Sequence, residues 1–151
     1  RYRLLWNDVI YEPGILKVVA FDKNGKAIAE KEVKTAGKPH KIILETDRKT
    51  IKSNGEDLSF VTVSVVDKNG IPCPTATNQL QFEVTGKGTF RAACNGDATS
   101  LELFHMPTMK LFSGKLVVLV KSTKEAGKIE LKVSGKGLKK GIIELEAVLN
   151  D

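Results

Sequence analysis

Tryptophan occurs once in this sequence, tyrosine, histidine and cysteine twice each, and aromatic residues make up only 6% of it. So few rings leave no ladder of stacking side chains of the kind that lines a nucleic-acid groove. Two cysteines cannot build a disulfide-dense scaffold, and two cysteines with two histidines lack the spacing of a zinc site. No cofactor or metal is therefore expected. No apolar run approaches the ~20 residues that a membrane-spanning helix needs, so no membrane is expected as a partner. Amphipathic helical periodicity is missing throughout. Arg1 opens the chain with neither an initiator Met nor a signal-peptide pattern, which suggests a piece of a longer protein.

Charge is plentiful but dispersed. The net charge of +6 and pI near 9.3 raise the question of phosphate binding. The lysines, however, stand singly, at outward strand positions (Lys128, Lys132) and around turns (Lys23, Lys26, Lys68, Lys139, Lys140), with Glu and Asp between them. That pattern fits a solvated surface with protected strand edges, and no nucleic acid is expected as a partner.

What the sequence does have is β-strand signal. The longest lies in Asp57–Gly70, where Val61, Val63 and Val65 share one face and Leu58, Phe60, Thr62, Ser64 and Val66 the other, before the stop Asp67-Lys68-Asn69-Gly70. A mixed second face suggests a strand covered on both sides. Upstream, strands are expected at Tyr2–Trp6, Ile15–Phe21 and Ala27–Val33, with Asp22-Lys23-Asn24-Gly25 as a hairpin turn whose last dipeptide favours type I′. Val18–Gly25 resembles Val63–Gly70, as in two tandem domains of similar build. Downstream, strands are expected at Lys41–Glu45, around Leu80–Val84, and at Thr89–Cys94, Leu116–Lys121, Lys128–Val133 and Ile142–Val148. The fold class is thus all-β. An immunoglobulin-like antiparallel β-sandwich spans residues 38–151, after a linker at Ala36–Pro39 and the closing strands of a preceding immunoglobulin-like domain in residues 1–37.

One long connection, Asn95 to Ser113, stands out, because long loops in small domains usually carry function or pack on a neighbour. Tracing the strands up, down and up again places it at the same end of the sandwich as the Asp67–Asn78 loop. Asn95, Gly96, Asp97, Ser100 and Glu102 are its candidate binding residues. Asp97 and Glu102 are its one carboxylate pair. Acid–base catalysis by a carboxylate pair needs one member held protonated, and nothing nearby in sequence would tune this pair, so turn capping or an inter-domain hydrogen bond is the expected role. His40 and His105 have no nucleophile placed beside them. No catalytic residue is expected.

The strand and turn series taken together, Asp57 to Val63, then Asp67-Lys68-Asn69-Gly70, Pro74 with Ala76 and Asn78, Gly86-Lys87-Gly88, Asn95-Gly96-Asp97 and Phe112-Ser113-Gly114, resembles the C-terminal β-sandwich of family 2 glycoside hydrolases, in particular the β-galactosidase-like enzymes of Bacteroides-type bacteria. Trp6, Tyr11-Glu12-Pro13-Gly14 and Thr35-Ala36-Gly37 resemble the end of the immunoglobulin-like domain before it. After Asn-Gly-Asp the family tends to read Pro-x-Ser-His-Glu-x-Phe. Here Ala98 and Leu101 flank Thr99 and Ser100, so the histidine of that pattern is lost. The resemblance implies a non-catalytic accessory region of a periplasmic or secreted β-galactosidase-like enzyme, whose catalytic glutamates lie on an upstream barrel and whose partners are that barrel and the other domains. Two alternatives are a carbohydrate-binding module, with polysaccharide as partner, and an adhesin-like protein-binding domain. An oxidising compartment leaves a Cys73–Cys94 disulfide open, since both fall at one end of the sandwich. The reading preferred on pattern makes Cys94 a small buried hydrophobe beside Phe90 and Ala92, and Cys73 a loop residue.

Overall fold

The computed structural model describes residues 5–149, so most of the strand expected at Tyr2–Trp6 lies outside the described residues, and Leu5 and Trp6 belong to no strand. The chain divides into two compact units, residues 1–35 and residues 36–151. No helix occurs among the described residues.

The first unit is one antiparallel hairpin, β1 (Ile15–Phe21) and β2 (Ala27–Lys34), in register from Ile15 opposite Lys34. Its turn differs from a type I′ pair. Only Gly25 takes positive φ, at 79°, while the Asp22 carboxylate accepts the N–H of Asn24 at 2.8 Å and of Lys26 at 2.9 Å. The same arrangement recurs at Asp67-Lys68-Asn69-Gly70, where Gly70 has φ 82° and Asp67 accepts from Asn69 and Ile71 at 2.8 and 2.9 Å. The sequence repeat is thus a repeated turn, held by an Asp side chain that satisfies backbone donors two and four residues on. Ile15, Leu16, Phe21, Ile28 and Val33 are all exposed on this hairpin. Two strands with apolar side chains open to water are only marginally stable by themselves.

The second unit is the sandwich. One sheet has the order β3 (Lys41–Thr46), β5 (Leu58–Val66), β9 (Lys115–Ser122), β7 (Gly88–Cys94); the other runs β4 (Thr50–Lys52), β11 (Gly141–Val148), β10 (Gly127–Gly135), β6 (Gln79–Gly86), β8 (Thr108–Lys110). Every pairing is antiparallel except β4 with β11, a short parallel contact between Glu146–Val148 and Thr50–Lys52. Two strands escaped the sequence reading, β4 and β8. Each has three residues, too few to show an alternation.

Val61, Val63, Val65, Leu116, Val118 and Val120 from the first sheet meet Leu80, Phe82, Ile129, Leu131, Val133 and Leu145 from the second, all buried. Burying each such side chain stabilises by roughly 1.5–3 kcal/mol, so this interface is what makes the unit fold. Phe82 and Phe90 stack across it with ring centroids 5.7 Å apart. At the corner between β6 and β7 the chain changes sheet within the single residue Lys87. Gly86 has φ 83° there, and a Cβ on it would lie 2.2 Å from the Lys128 carbonyl oxygen, so only glycine fits.

Two expectations are corrected by position within the sheets. Apart from Val66 at its end, which is buried, the second face of β5 has no layer over it, because the sandwich has two layers only. Phe60 therefore points outward at 42% exposure instead of packing in the core, with Thr62 and Ser64 half-buried beside it. In β7, a bulge at Arg91 shifts the register between Phe90 and Ala92. One extra residue reverses the in-out alternation beyond it. Ala93 is buried as a result, and Cys94, assigned above to the face of Phe90, is exposed.

Candidate functional site

The Asn95–Ser113 connection is interrupted by β8 and tied down along its length. The Phe104 carbonyl accepts the N–H of Ala93 at 2.8 Å, and the Pro107 carbonyl that of Phe82 at 2.9 Å. Gln79, which opens β6 after the Asp67–Asn78 loop, donates from Nε2 to Glu102 Oε1 at 3.3 Å. The two loops do share one end of the sandwich.

Within this loop the candidate residues come together as a structural device. Asn95 accepts the Asp97 N–H at 3.0 Å, Asp97 accepts the Thr99 N–H at 2.9 Å and hydroxyl at 2.7 Å, and the Ser100 hydroxyl accepts the Glu102 N–H at 3.2 Å. Gly96 supplies φ 78° between the first two turns. The Thr99 hydroxyl and N–H hold the Asp97 carboxyl below its ordinary range, so it is a committed anion with no proton to give. The two ends of the series converge on Lys110 in the edge strand β8. Glu102 accepts the Lys110 N–H, at 3.2 Å to each carboxylate oxygen, and Asn95 Nδ2 donates to the Lys110 carbonyl at 3.0 Å. Both backbone groups of Lys110, which face away from β6, are occupied. Asn95 and Glu102 thus seal a sheet edge, a protection that open edges need against intermolecular pairing.

The cysteines are free and do not pair. Cys94 faces outward from β7. Cys73, expected as a plain loop residue, is buried, with its thiol 3.6 Å from the Gly37 carbonyl and 3.7 Å from that of Ile71. Burial pushes this thiol up, and the nearby Asp67 charge adds to the effect, so it stays protonated and unreactive. The same Gly37 donates its N–H to Asp67 Oδ2 at 2.8 Å. The Gly37 and Ile71 amides, with those of Asn69 and Gly70, hold the buried Asp67 carboxyl low against the opposing effect of desolvation. Sequence reasoning passed over this clasp. Asp67 was legible as a turn residue, but its second task depends on a contact 30 positions away.

Sequence reasoning also missed the apolar display of the loop. Leu101, Leu103, Phe104 and Met106 are exposed on it, Leu101 at 95%. Among the described residues no group of three or more His, Cys, Asp or Glu side chains is arranged to hold a metal ion. No described helix is long and apolar enough to cross a membrane.

The profile described as glycoside hydrolase family 2 C-terminal domain 5 matches residues 42–144, and a domain of unknown function (DUF4982) matches residues 1–29. β-Galactosidase BoGH2A of Bacteroides ovatus is 40% identical over 92% of this chain and 16% of its own length. A β-galactosidase of Thermoanaerobacter pseudethanolicus is 37% identical over 72% of the chain and 13% of its own length. Among solved structures, a glycosyl hydrolase family 2 member from Bacteroides cellulosilyticus superposes with a TM-score of 0.86 at 32% identity, over 93% of this chain and 18% of that one. The chain spans less than a fifth of the length of these relatives. It belongs to glycoside hydrolase family 2, of which it carries the C-terminal domain 5 sandwich.

Proposed function

We propose that this chain is a non-catalytic, structural part of a larger β-galactosidase-type family 2 enzyme, periplasmic or secreted, in which the sandwich packs against the catalytic part and the other domains. The observation that carries the reading is the fate of Asp97 and Glu102. Both carboxylates are taken up by hydrogen bonds that build the loop and hold Lys110, and Asp97, whose carboxyl is held low, is not the protonated group that a general acid must be at neutral pH. The names of the relatives support a galactoside as the substrate of the parent. The hairpin of β1 and β2, with apolar side chains open to water, fits the closing strands of a preceding domain that needs further strands to cover them.

The test is an assay of the isolated chain with a nitrophenyl galactoside, together with calorimetry against galactan, arabinogalactan and xylan. No turnover and no saturable binding are expected. Turnover would overturn the non-catalytic reading, and saturable sub-millimolar binding would replace it with a carbohydrate-binding module.

A further inference from the structure

The two outer faces of the sandwich differ in kind. On the five-stranded sheet the outward side chains of β6, β10 and β11 include Glu83, Lys128, Glu130, Lys132, Glu144 and Glu146, a solvated surface on which Lys132 pairs with Glu83 at 2.7 Å. On the four-stranded sheet the registers place Phe60 opposite Leu119 and Leu119 opposite Ala92, with Val117 opposite Cys94 in the neighbouring row. Outward side chains on directly paired residues are in contact, so these five form one apolar stripe over β5, β9 and β7. The bond from Ala93 N–H to the Phe104 carbonyl lays the exposed apolar loop along the free edge of β7, beside the stripe. Charge on this face stands at its margins, at Glu45, Lys115 and Lys121, while its centre is apolar; on the first face charge runs across the middle, with the apolar Ile142 and Val148 at the ends of β11.

We infer that the outer face of β5, β9 and β7, with the Leu101–Met106 loop at its edge, is the docking surface for the part of the same polypeptide that lies upstream of this chain. The inference rests on the reading of the chain as part of a larger family 2 enzyme. The occupant follows from two observations. More than four-fifths of each relative lies outside the span this chain matches, so an intramolecular partner is present at high effective concentration. The stripe is also bordered by Glu45, Thr62, Ser64 and Lys115, and that mixture of apolar and polar groups is typical of contacts between domains of one chain.

Cys94 is a built-in reporter, because it is exposed within the stripe while Cys73 is buried. The native full-length parent and the 151-residue chain are labelled with N-ethylmaleimide, and the modified Cys94 peptide is followed by mass spectrometry. Labelling should be at least about tenfold slower in the parent, whereas a Glu144→Cys reporter on the charged face labels quickly in both. A Phe60→Lys, Leu119→Lys parent should regain fast Cys94 labelling. Equal Cys94 rates in parent and chain overturn the inference, as does equal protection of both faces. Protection in the isolated chain that grows with its concentration assigns the face to a second copy and likewise overturns it. These outcomes are independent of the turnover assay, so failure of the docking face and failure of the non-catalytic reading are separable.

Discussion

Replacing Glu102 with alanine removes the acceptor for the Lys110 N–H and for Gln79 Nε2. The bonds are long, at 3.2 and 3.3 Å, and sit at an exposed edge where water can substitute. Their net contribution therefore belongs near the middle of the usual 0.5–1.5 kcal/mol for a hydrogen bond, about 1 kcal/mol in total rather than per bond. In a unit of this size that lowers the melting midpoint by about 4 °C, read by circular dichroism or calorimetry. Glu102→Gln keeps a carbonyl acceptor and should lose less than half as much. Asn95→Ala frees the carbonyl of the same residue, so the double variant should be non-additive, because both substitutions act on Lys110. It should also aggregate on heating, since both backbone groups of Lys110 on the β8 edge are then open. Three results would refute this account. Glu102→Ala could melt with the parent chain, Glu102→Gln could lose as much as alanine, or the double variant could add without aggregation. The second would mean that the charge itself matters, as it would for a bound ligand.

Gly86→Ala places a Cβ against the Lys128 carbonyl at a strained φ and should cost about 3 kcal/mol or more in urea unfolding; a change under 1 kcal/mol would mean the corner relaxes freely. Asp67 has a folded pKa below its unfolded value near 4. Its stabilisation is therefore complete above about pH 4 and is lost as pH falls through the folded pKa. Asp67→Asn should melt lower at pH 7, because its amide meets the Gly37 N–H as a donor, and should show a shallower loss of stability below pH 4. An unchanged acid profile would remove Asp67 from that role. Ellman's reagent should titrate one thiol in the native chain and a second only in denaturant, and reductant should leave the melting midpoint unmoved; two fast thiols, or none, would contradict the free Cys73 and Cys94 described above.

Much of the fold was legible because long strands carry their own alternation. Leu80, Phe82, Ile129, Leu131 and Val133 announce an inward face, and all five are buried. What stayed hidden depended on pairing. β4 and β8 have three residues each, and their strand character comes from neighbours brought from 96 and 27 positions away in the registers Thr50–Glu146 and Gln81–Thr108, with no local pattern to show it. Phe60 was misplaced because the second face of its strand is mixed rather than plainly polar, and only the number of layers decides whether that face is open. The loop residues were chosen correctly as a cluster, yet their partner Lys110 lies in the strand that the sequence did not reveal. Cys73 is buried in the core with its thiol on the Gly37 carbonyl, a contact 36 positions away that no spacing rule encodes.

The Arg91 bulge is a change of parity in the chain's addressing. Upstream of it even-numbered β7 residues point to the core and downstream they point outward, so Phe90 lies inside while Ala92 and Cys94 belong to the exterior stripe. Keeping that residue but flattening the bulge would send Ala92 and the thiol inward and Ala93 out, whereas deleting it would leave Ala92 opposite Leu119 and Cys94 opposite Val117 as they are. The outer surface of this sheet is therefore specified by residue count as much as by residue type. Homologues whose β7 pairs every residue at this length, with no bulge to absorb the extra one, would present a different face to whatever covers it.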